Sequence, residues 1–273
     1  MPVTVKGQRR RKLKGAKGKV VKVSKTVKPA TLSDPVKAGV LAVVRRMISK
    51  KAENKLIGNL VEDEVLHNSA IGAADCEPII PEIAPLDAAG GSTARQRVGD
   101  RITPKYLKVR GVVSLNQSSP PTGRADLYAR VIIAAQKDVK TGAAILGGGI
   151  SANTLLRAGY GGPANEVAFG GNTADMLYDI NRDKFKVYMD KVVRLNQVGE
   201  GAIEQNGAYS FVYTYTFKDL PTALTFDEEN GNWPNNFAPF VAVGYCYSDG
   251  TAPDAVATKL IHTCYSQLQF EDI

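Results

Sequence analysis

The residues with the clearest capacity for chemistry are cations crowded at the start of the chain. Residues 1–33 contain no Asp or Glu. Flexible cations neutralise phosphates and release condensed counterions, an attraction that ignores base sequence and weakens with salt. The spacing therefore predicts a nucleic-acid-binding segment. Its cations are Lys6, Arg9, Arg10, Arg11, Lys12, Lys14, Lys17, Lys19, Lys22, Lys25 and Lys28.

The lack of aromatic residues and the charge of this segment indicate which kind of partner it binds. The first aromatic residue of the chain is Tyr106, so the segment cannot stack on bases and should contact the nucleic-acid backbone. The net charge is +8, and eleven cations lie in 1–33, so the remainder carries 8 − 11 = −3. A basic tail on a mildly acidic body indicates a polyanionic partner. The run Arg9, Arg10, Arg11, Lys12 and Lys14 also fits a nuclear localisation signal, and a solubilising tail is the alternative interpretation.

Other combinations of reactive residues do not form a catalytic or metal-binding motif. His67 and His262 are the two histidines, and neither has zinc-ligand spacing. His262 and Cys264, two apart in a predicted strand, should share one face as packing residues. Residues 147–152 spell G-x-G-x-x-A without a strand–turn–helix context, and 227–232 lack the EF-hand pattern. We therefore expect no enzyme, cofactor or metal site.

The sequence also bears on disulfide bonds, membrane spans and targeting signals. Cys76, Cys246 and Cys264 are few and widely spaced, which predicts reduced thiols rather than a disulfide framework. The chain contains no run of eighteen apolar residues, so no membrane-spanning helix is expected. A secretory signal does not fit. A mitochondrial presequence is a minor alternative for the acid-free N-terminus.

Four regions are predicted along the chain. Residues 1–33 read as a disordered basic arm because they are poor in apolar side chains. Residues 34–67 read as an amphipathic helical segment, since apolar residues recur at spacings of three and four after Asp34 and Pro35. Residues 68–102 are rich in Pro and Gly and read as a linker. Residues 103–273 read as the β-rich body.

The body has the texture of an all-β sandwich. Strand-like runs separated by Gly, Asn and Pro connections favour a sandwich over β-α-β units. The Gly-rich stretch 138–175 is predicted to be a large surface loop. The predicted strand regions are 106–115, 126–135, 184–189, 192–195, 209–217, 237–247 and 259–270.

Three stretches resemble capsid proteins of circular Rep-encoding single-stranded DNA viruses, the circovirus-like group. Residues 97–109 (RVGDRITPKYLKV) resemble the segment that opens the shell domain in that family. Residues 185–193 (FKVYMDKVV) are similar to its central strand, Asp-Lys, strand stretch. A strand at 240–247, an Asp-Gly turn at 249–250 and a final strand ending in LQFED at 268–272 follow the family's order. The helical segment 34–67 departs from the family's short arm.

The resemblance implies an eight-stranded jelly roll. It further implies a virion protein that forms a sixty-copy icosahedral shell around circular single-stranded DNA, and that meets a nuclear import receptor during assembly. Three alternatives stay open: a capsid protein of a small RNA virus, a cellular nucleic-acid-binding protein with a basic tail, and an enzyme on a β scaffold. The net acidic body argues against the second, and the missing catalytic constellation argues against the third.

Overall fold

The computed structural model describes residues 53–65, 71–85, 96–116, 126–159, 163–196, 209–227, 231–249 and 260–272. The predicted basic arm, residues 34–52 of the predicted helical segment, and His67 lie outside these ranges. Among the described residues, no helix is long and apolar enough to cross a membrane.

Within the part of the chain that the structure describes, eight antiparallel strands build the two main sheets. They are β1 (Glu53–Val65), β2 (Glu77–Pro78), β3 (Arg101–Leu115), β4 (Asp126–Gln136), β5 (Phe185–Asn196), β6 (Ser210–Thr216), β7 (Phe240–Tyr247) and β8 (Leu260–Asp272). Sheet A has the strand order β1-β8-β3-β6, and sheet B has the order β2-β7-β4-β5. Each of the pairs β1–β2, β3–β4, β5–β6 and β7–β8 crosses from one sheet to the other, which is the strand order of an eight-stranded jelly roll. The predicted all-β jelly roll is confirmed.

Alternating side chains explain which face of sheet A is buried. In β3, Leu107, Val109 and Val113 point into the sandwich, whereas Lys108 and Arg110 lie on the outer face. Successive side chains of a strand point to opposite sides, so a two-residue period buries one face. The inward residues of both sheets form the main hydrophobic core. The strands that the sequence predicted from 103 onward are present, but 184–189 and 192–195 are one strand, β5, with an irregular register near Val187.

Strand β1 corrects the prediction of a helical segment. Residues 53–65 are a strand that pairs along its whole length with β8, at the edge of sheet A. Leu56 and Leu60, which suggested a helical stripe, are exposed on the outer face, and Ile57 is buried. Pairing with a strand more than 190 residues away decides the conformation here, because tertiary contacts override a weak local propensity.

The predicted linker 68–102 is also corrected, because its described residues pack into the body. Ile71, Ile79, Ile80 and Ile83 are buried, and β2 lies at the edge of sheet B against β7. Pro78 fits this place, since proline is tolerated in edge strands. The short strands Ala84–Pro85 and Gln96–Arg97 pair in parallel, and β3 begins at Arg101.

The predicted surface loop 138–175 is a structured insertion between β4 and β5. It holds helix α1 (Gly142–Leu146) and a small sheet of Leu156–Arg157, Glu166–Val167 and Asp179–Ile180. Its buried side chains, among them Ile145 and Phe169, form a second core on the outer face of sheet B together with Ile132 of β4 and Phe240 of β7. The remaining elements are the 3-10 turns Ala73–Asp75, Ala152–Thr154, Pro163–Asn165 and Thr173–Met176, and the strand Leu224–Thr225 on β3.

Candidate functional site

The predicted nucleic-acid-binding residues, from Lys6 to Lys28, lie outside the described residues. The first described residue is Glu53, which begins β1 opposite Asp272, the last residue of β8. The described chain therefore starts at an edge of sheet A.

A buried ion pair fixes the start of β1. Lys55 Nζ lies 2.9 Å from Asp272 Oδ2 and also donates to the carbonyl of Gln96 at 2.8 Å, and the backbone N–H of Val98 donates to the same carboxylate oxygen. Lys55 and Asp272 are each 5% exposed. Removing one partner of such a pair leaves an uncompensated buried charge, at a cost of about 3–5 kcal/mol. Because the two residues are 217 positions apart, local sequence patterns do not reveal the pair.

The outer face of sheet A is open to solvent. Exposed apolar side chains lie on all four of its long strands, namely Leu56 and Leu60 on β1, Val112 on β3, Val212 on β6, and Tyr265 on β8. Most of their neighbours on this face are uncharged, and Arg110 adds a cation. Exposed apolar residues gathered on one face are typical of protein–protein contact.

The outer face of sheet B is covered by the insertion, and a buried arginine ties the two together. Arg130 of β4 donates from Nε and Nη2 to the two carboxylate oxygens of Asp190 in β5, at 2.8 and 2.6 Å. Its Nη1 donates to the carbonyl of Asp175, within the Thr173–Met176 turn. The Asp175 carboxylate in turn accepts backbone N–H groups of Gly170 and Asn172. This network fixes the insertion on the sheet.

A cleft of about 340 Å³ lies at the β5 edge of the sandwich. We call it the basic cleft; Lys137, Lys140 and Lys186 line it, with Asp219 as its acidic residue. Its wall is aromatic. The centroid of the Tyr188 ring lies 4.8 Å from that of Phe217 and 6.4 Å from that of Phe237. The residues lining this cleft are Ala135, Gln136, Lys137, Val139, Lys140, Lys186, Tyr188, Asp219, Leu220, Pro221, Asn236, Phe237 and Ala238.

The charges and rings of the basic cleft interact. Lys186 Nζ lies 5.1 Å from the centroid of the Tyr188 ring, within range of a cation–π attraction. Burial raises the pKa of Tyr188 to about 12, and the nearby Tyr215 and Asp219 add to the rise. The tyrosine hydroxyl therefore stays neutral at physiological pH, and the cleft keeps its excess of positive charge.

A second cleft of about 300 Å³ lies between β1 and β2. We call it the acidic cleft, because Glu77 and Glu82 line it. Trp233 and Leu146 supply apolar surface, and Leu146 is 56% exposed at the end of α1. The complete lining is Ile57, Gly58, Asn59, Glu77, Pro78, Pro81, Glu82, Leu146 and Trp233.

The remaining candidate residues have structural places. As predicted, His262 and Cys264 share the inner face of β8; His262 Nε2 lies 2.7 Å from the Tyr213 hydroxyl, and burial lowers the pKa of His262 to about 4. Burial raises the pKa of Cys76 to about 12 and that of Cys246 to about 11, so both thiols stay protonated. In the described ranges, no group of three or more His, Cys, Asp or Glu could hold a metal ion.

The described residues of the two short motifs show no ligand geometry. Gly147–Gly149 follow helix α1 instead of preceding a helix, and Gly148 has a φ of 78° in a turn. A dinucleotide motif needs the reverse arrangement, with the glycines between a strand and the helix that follows. In the segment 227–232, Asp227 Oδ1 accepts a hydrogen bond from Asn235 Nδ2 at 2.5 Å, and residues 228–230 lie outside the described residues.

Comparisons with known proteins give little further information. No family model and no curated protein matches the chain. Among solved structures, the chain is similar to a protein in the cryo-EM structure of Mud crab tombus-like virus, at 13% sequence identity and a TM-score of 0.24. The match covers 81% of this chain and 92% of that chain. Because this likeness is too distant to carry an argument, the class of this protein, an all-β jelly roll, rests on its strand order.

Proposed function

We propose that this chain is a viral coat protein, which assembles into a closed icosahedral shell and packages single-stranded DNA through its basic N-terminal arm. The observation that carries the proposal is a pairing of two features. A jelly roll, an architecture used by viral capsid proteins, is preceded by a segment with eleven cations and no acids. The folded domain would tile the shell, and the arm would bind the cargo. The protein would be located in the virion, with no enzymatic activity and no cofactor.

Charge supports this division of labour. Outside the arm the chain carries a net charge of −3, so copies of the folded domain repel each other only weakly. Sixty arms would supply about 660 positive charges and offset part of the phosphate charge of a packaged genome. The arm lacks aromatic residues, so it would bind the genome without reading its sequence.

Exposed surface supports the tiling role. The outer face of sheet A presents Leu56, Leu60, Val212 and Tyr265 to solvent. Buried hydrophobic surface is the main favourable term in most protein association. A shell would cover part of this surface with neighbouring copies.

The first experiment asks whether the chain assembles. Purified full-length protein should form uniform particles in negative-stain electron micrographs, and the ratio of absorbance at 260 and 280 nm should show nucleic acid inside them. Monomers under all salt and pH conditions would contradict the proposal. Sequencing of the packaged nucleic acid would test the choice of DNA, and recovery of RNA alone would replace it with an RNA genome.

The second experiment tests the arm. Deleting residues 1–28 should abolish salt-sensitive binding of single-stranded DNA, while circular dichroism and Trp233 fluorescence stay unchanged. A matched variant that replaces the eleven cations with Gln keeps the length of the arm and should behave like the deletion. Binding that survives both changes would refute the role of the arm.

Nuclear import is tested separately. The run Arg9, Arg10, Arg11, Lys12 and Lys14 would bind an import receptor, and residues 1–33 fused to a fluorescent protein should then accumulate in nuclei. Replacing these five residues with Gln should return the fusion to an even distribution. Nuclear accumulation after the replacement would refute this assignment.

A further inference from the structure

The two clefts carry opposite charge. The acidic cleft lies between β1 and β2, at one edge of the sandwich, with Glu77 and Glu82. The basic cleft lies where β4 ends and β5 begins, with three lysines. One copy therefore presents complementary charge on two separate surfaces.

The polarities of the two clefts also match. Leu146 is an exposed apolar side chain at the rim of the acidic cleft, near Glu82. The basic cleft is lined by apolar atoms of Val139, Tyr188 and Phe237 between its lysines. A leucine flanked by carboxylates fits an apolar cleft flanked by ammonium groups. Desolvating Leu146 would favour association, and the surrounding charges would select the partner surface.

We propose that the acidic cleft of one copy docks against the basic cleft of a second copy. Leu146 of the first copy then enters the basic cleft of the second, and Glu82 faces Lys140. The inference rests on the proposed self-assembly and names two surfaces that perform it. Because the contact joins two different surfaces, it repeats head to tail. It closes into a ring when the rotation between copies divides a full turn, and otherwise it continues as an open filament.

Charge reversal tests this contact in the full-length chain. Glu82→Lys and Lys140→Glu each place like charges against each other, so each should raise the subunit concentration needed for half-maximal particle formation by about tenfold or more. The double variant restores opposite charges in swapped positions and should return to within about threefold of the wild type. Light scattering and negative-stain micrographs measure both effects.

Controls separate charge effects from misfolding. Glu82 and Lys140 are both exposed, so circular dichroism and Trp233 fluorescence of the variants should match the wild type. Asp179→Lys makes the same charge change as Glu82→Lys at an exposed residue of the insertion that lines neither cleft, and should assemble like the wild type.

The outcomes distinguish the inference from the proposed function. Wild-type particles with unaffected single variants would overturn the docking contact and leave the coat-protein proposal standing. A folded double variant that stays as impaired as the single variants would overturn it too. A wild-type chain that forms no particles would overturn both.

A competing occupant of the basic cleft is nucleic acid, since lysines beside aromatic rings also bind single strands. Binding of a poly(dT) oligonucleotide by the full-length chain distinguishes the two. If Lys140→Glu weakens this binding while both single variants assemble normally, the cleft is a nucleic-acid site and the docking contact is wrong. Unchanged binding together with impaired assembly supports docking.

Discussion

The outer faces of the two sheets differ in their exposure to solvent. Sheet B is buried on both sides at β7 and along most of β4, where the insertion between β4 and β5 covers its outer face, and every residue of β7 is buried as a result. Sheet A is buried only on its inner face, and Leu60, Val212 and Tyr265 stay exposed outside. The same architecture thus has one face that is closed within the subunit and one that is available for contact with other molecules.

The comparison explains where polar groups are placed. On the covered face, Arg130 is 2% exposed. Its Nε and Nη2 donate to the Asp190 carboxylate, and its Nη1 donates to the Asp175 carbonyl. On the open face, Arg110 extends into solvent. Buried charge requires paired, hydrogen-bonded partners, whereas exposed charge does not. Equivalent substitutions on the two faces should therefore differ in their effect on stability.

The largest expected effect is the loss of the buried arginine. Arg130→Met should lower the free energy of unfolding by about 3–5 kcal/mol, because the Asp190 carboxylate and the Asp175 carbonyl lose their donors. Urea unfolding of the full-length chain, followed by Trp233 fluorescence, measures the change. Arg110→Met is the matched control on the open face and should stay within about 0.5 kcal/mol of the wild type. Equal effects at both positions would remove the distinction between the faces.

The inner face of sheet A provides the next effect, through His262. Its pKa is about 4 in the folded chain against an ordinary value of 6.5, because burial disfavours the charged ring. The unfolded chain therefore binds more protons between these values. Stability is complete above pH 6.5 and falls by about 3 kcal/mol as the pH drops to 4.

The non-titrating variant His262→Gln isolates this contribution. Its free energy of unfolding, measured by the same urea titration at several pH values, should lack the part of the slope that His262 causes. Identical slopes for the wild type and the variant between pH 6.5 and 4 would show that His262 does not contribute.

The smallest effect in the series compares two glycines that make close approaches. A Cβ atom added to Gly244 in β7 would collide with the buried ring of Phe169 from the insertion. A Cβ added to Gly58 in β1 would collide with the hydroxyl end of Tyr265, which is 42% exposed and can swing into solvent. Gly244→Ala should cost about 1–3 kcal/mol, and Gly58→Ala should cost less than about 0.5 kcal/mol. Thermal unfolding midpoints in the reverse order would show that sheet B tolerates more change than the packing implies.

Prediction from the sequence succeeded where one strand carries its own signal. Strands β3 and β6 were correctly predicted from the alternation in 106–115 and 209–217, and β4 from the continuous apolar run at 126–135. In these strands, the order of apolar and polar residues along the segment itself reflects which side chains are buried. The prediction failed for β1, since its apolar spacing also fits a helix. Only its pairing with β8 selected the strand.

The candidate surfaces were less predictable than the strands. The three lysines of the basic cleft come from the β4–β5 connection and from β5, and its aromatic wall also draws on residues near 217 and 237. The acidic cleft joins Ile57, Glu82 and Trp233, which are far apart in sequence. No local motif signals such sites, because each exists only after distant segments have packed together.

The amino-acid sequence by itself determined the concentration of cations in residues 1–33, the acidic balance of the rest, and the two-residue periodicity that makes the body a β sandwich. These are properties of composition and of neighbouring residues. Tertiary structure alone decided that 53–65 is an edge strand, that the Gly-rich insertion covers β4 and β7 of sheet B, and that opposite charges line two separate clefts. The physical reason is that pairing and burial depend on contacts between residues far apart along the chain, which spacing within one segment does not specify.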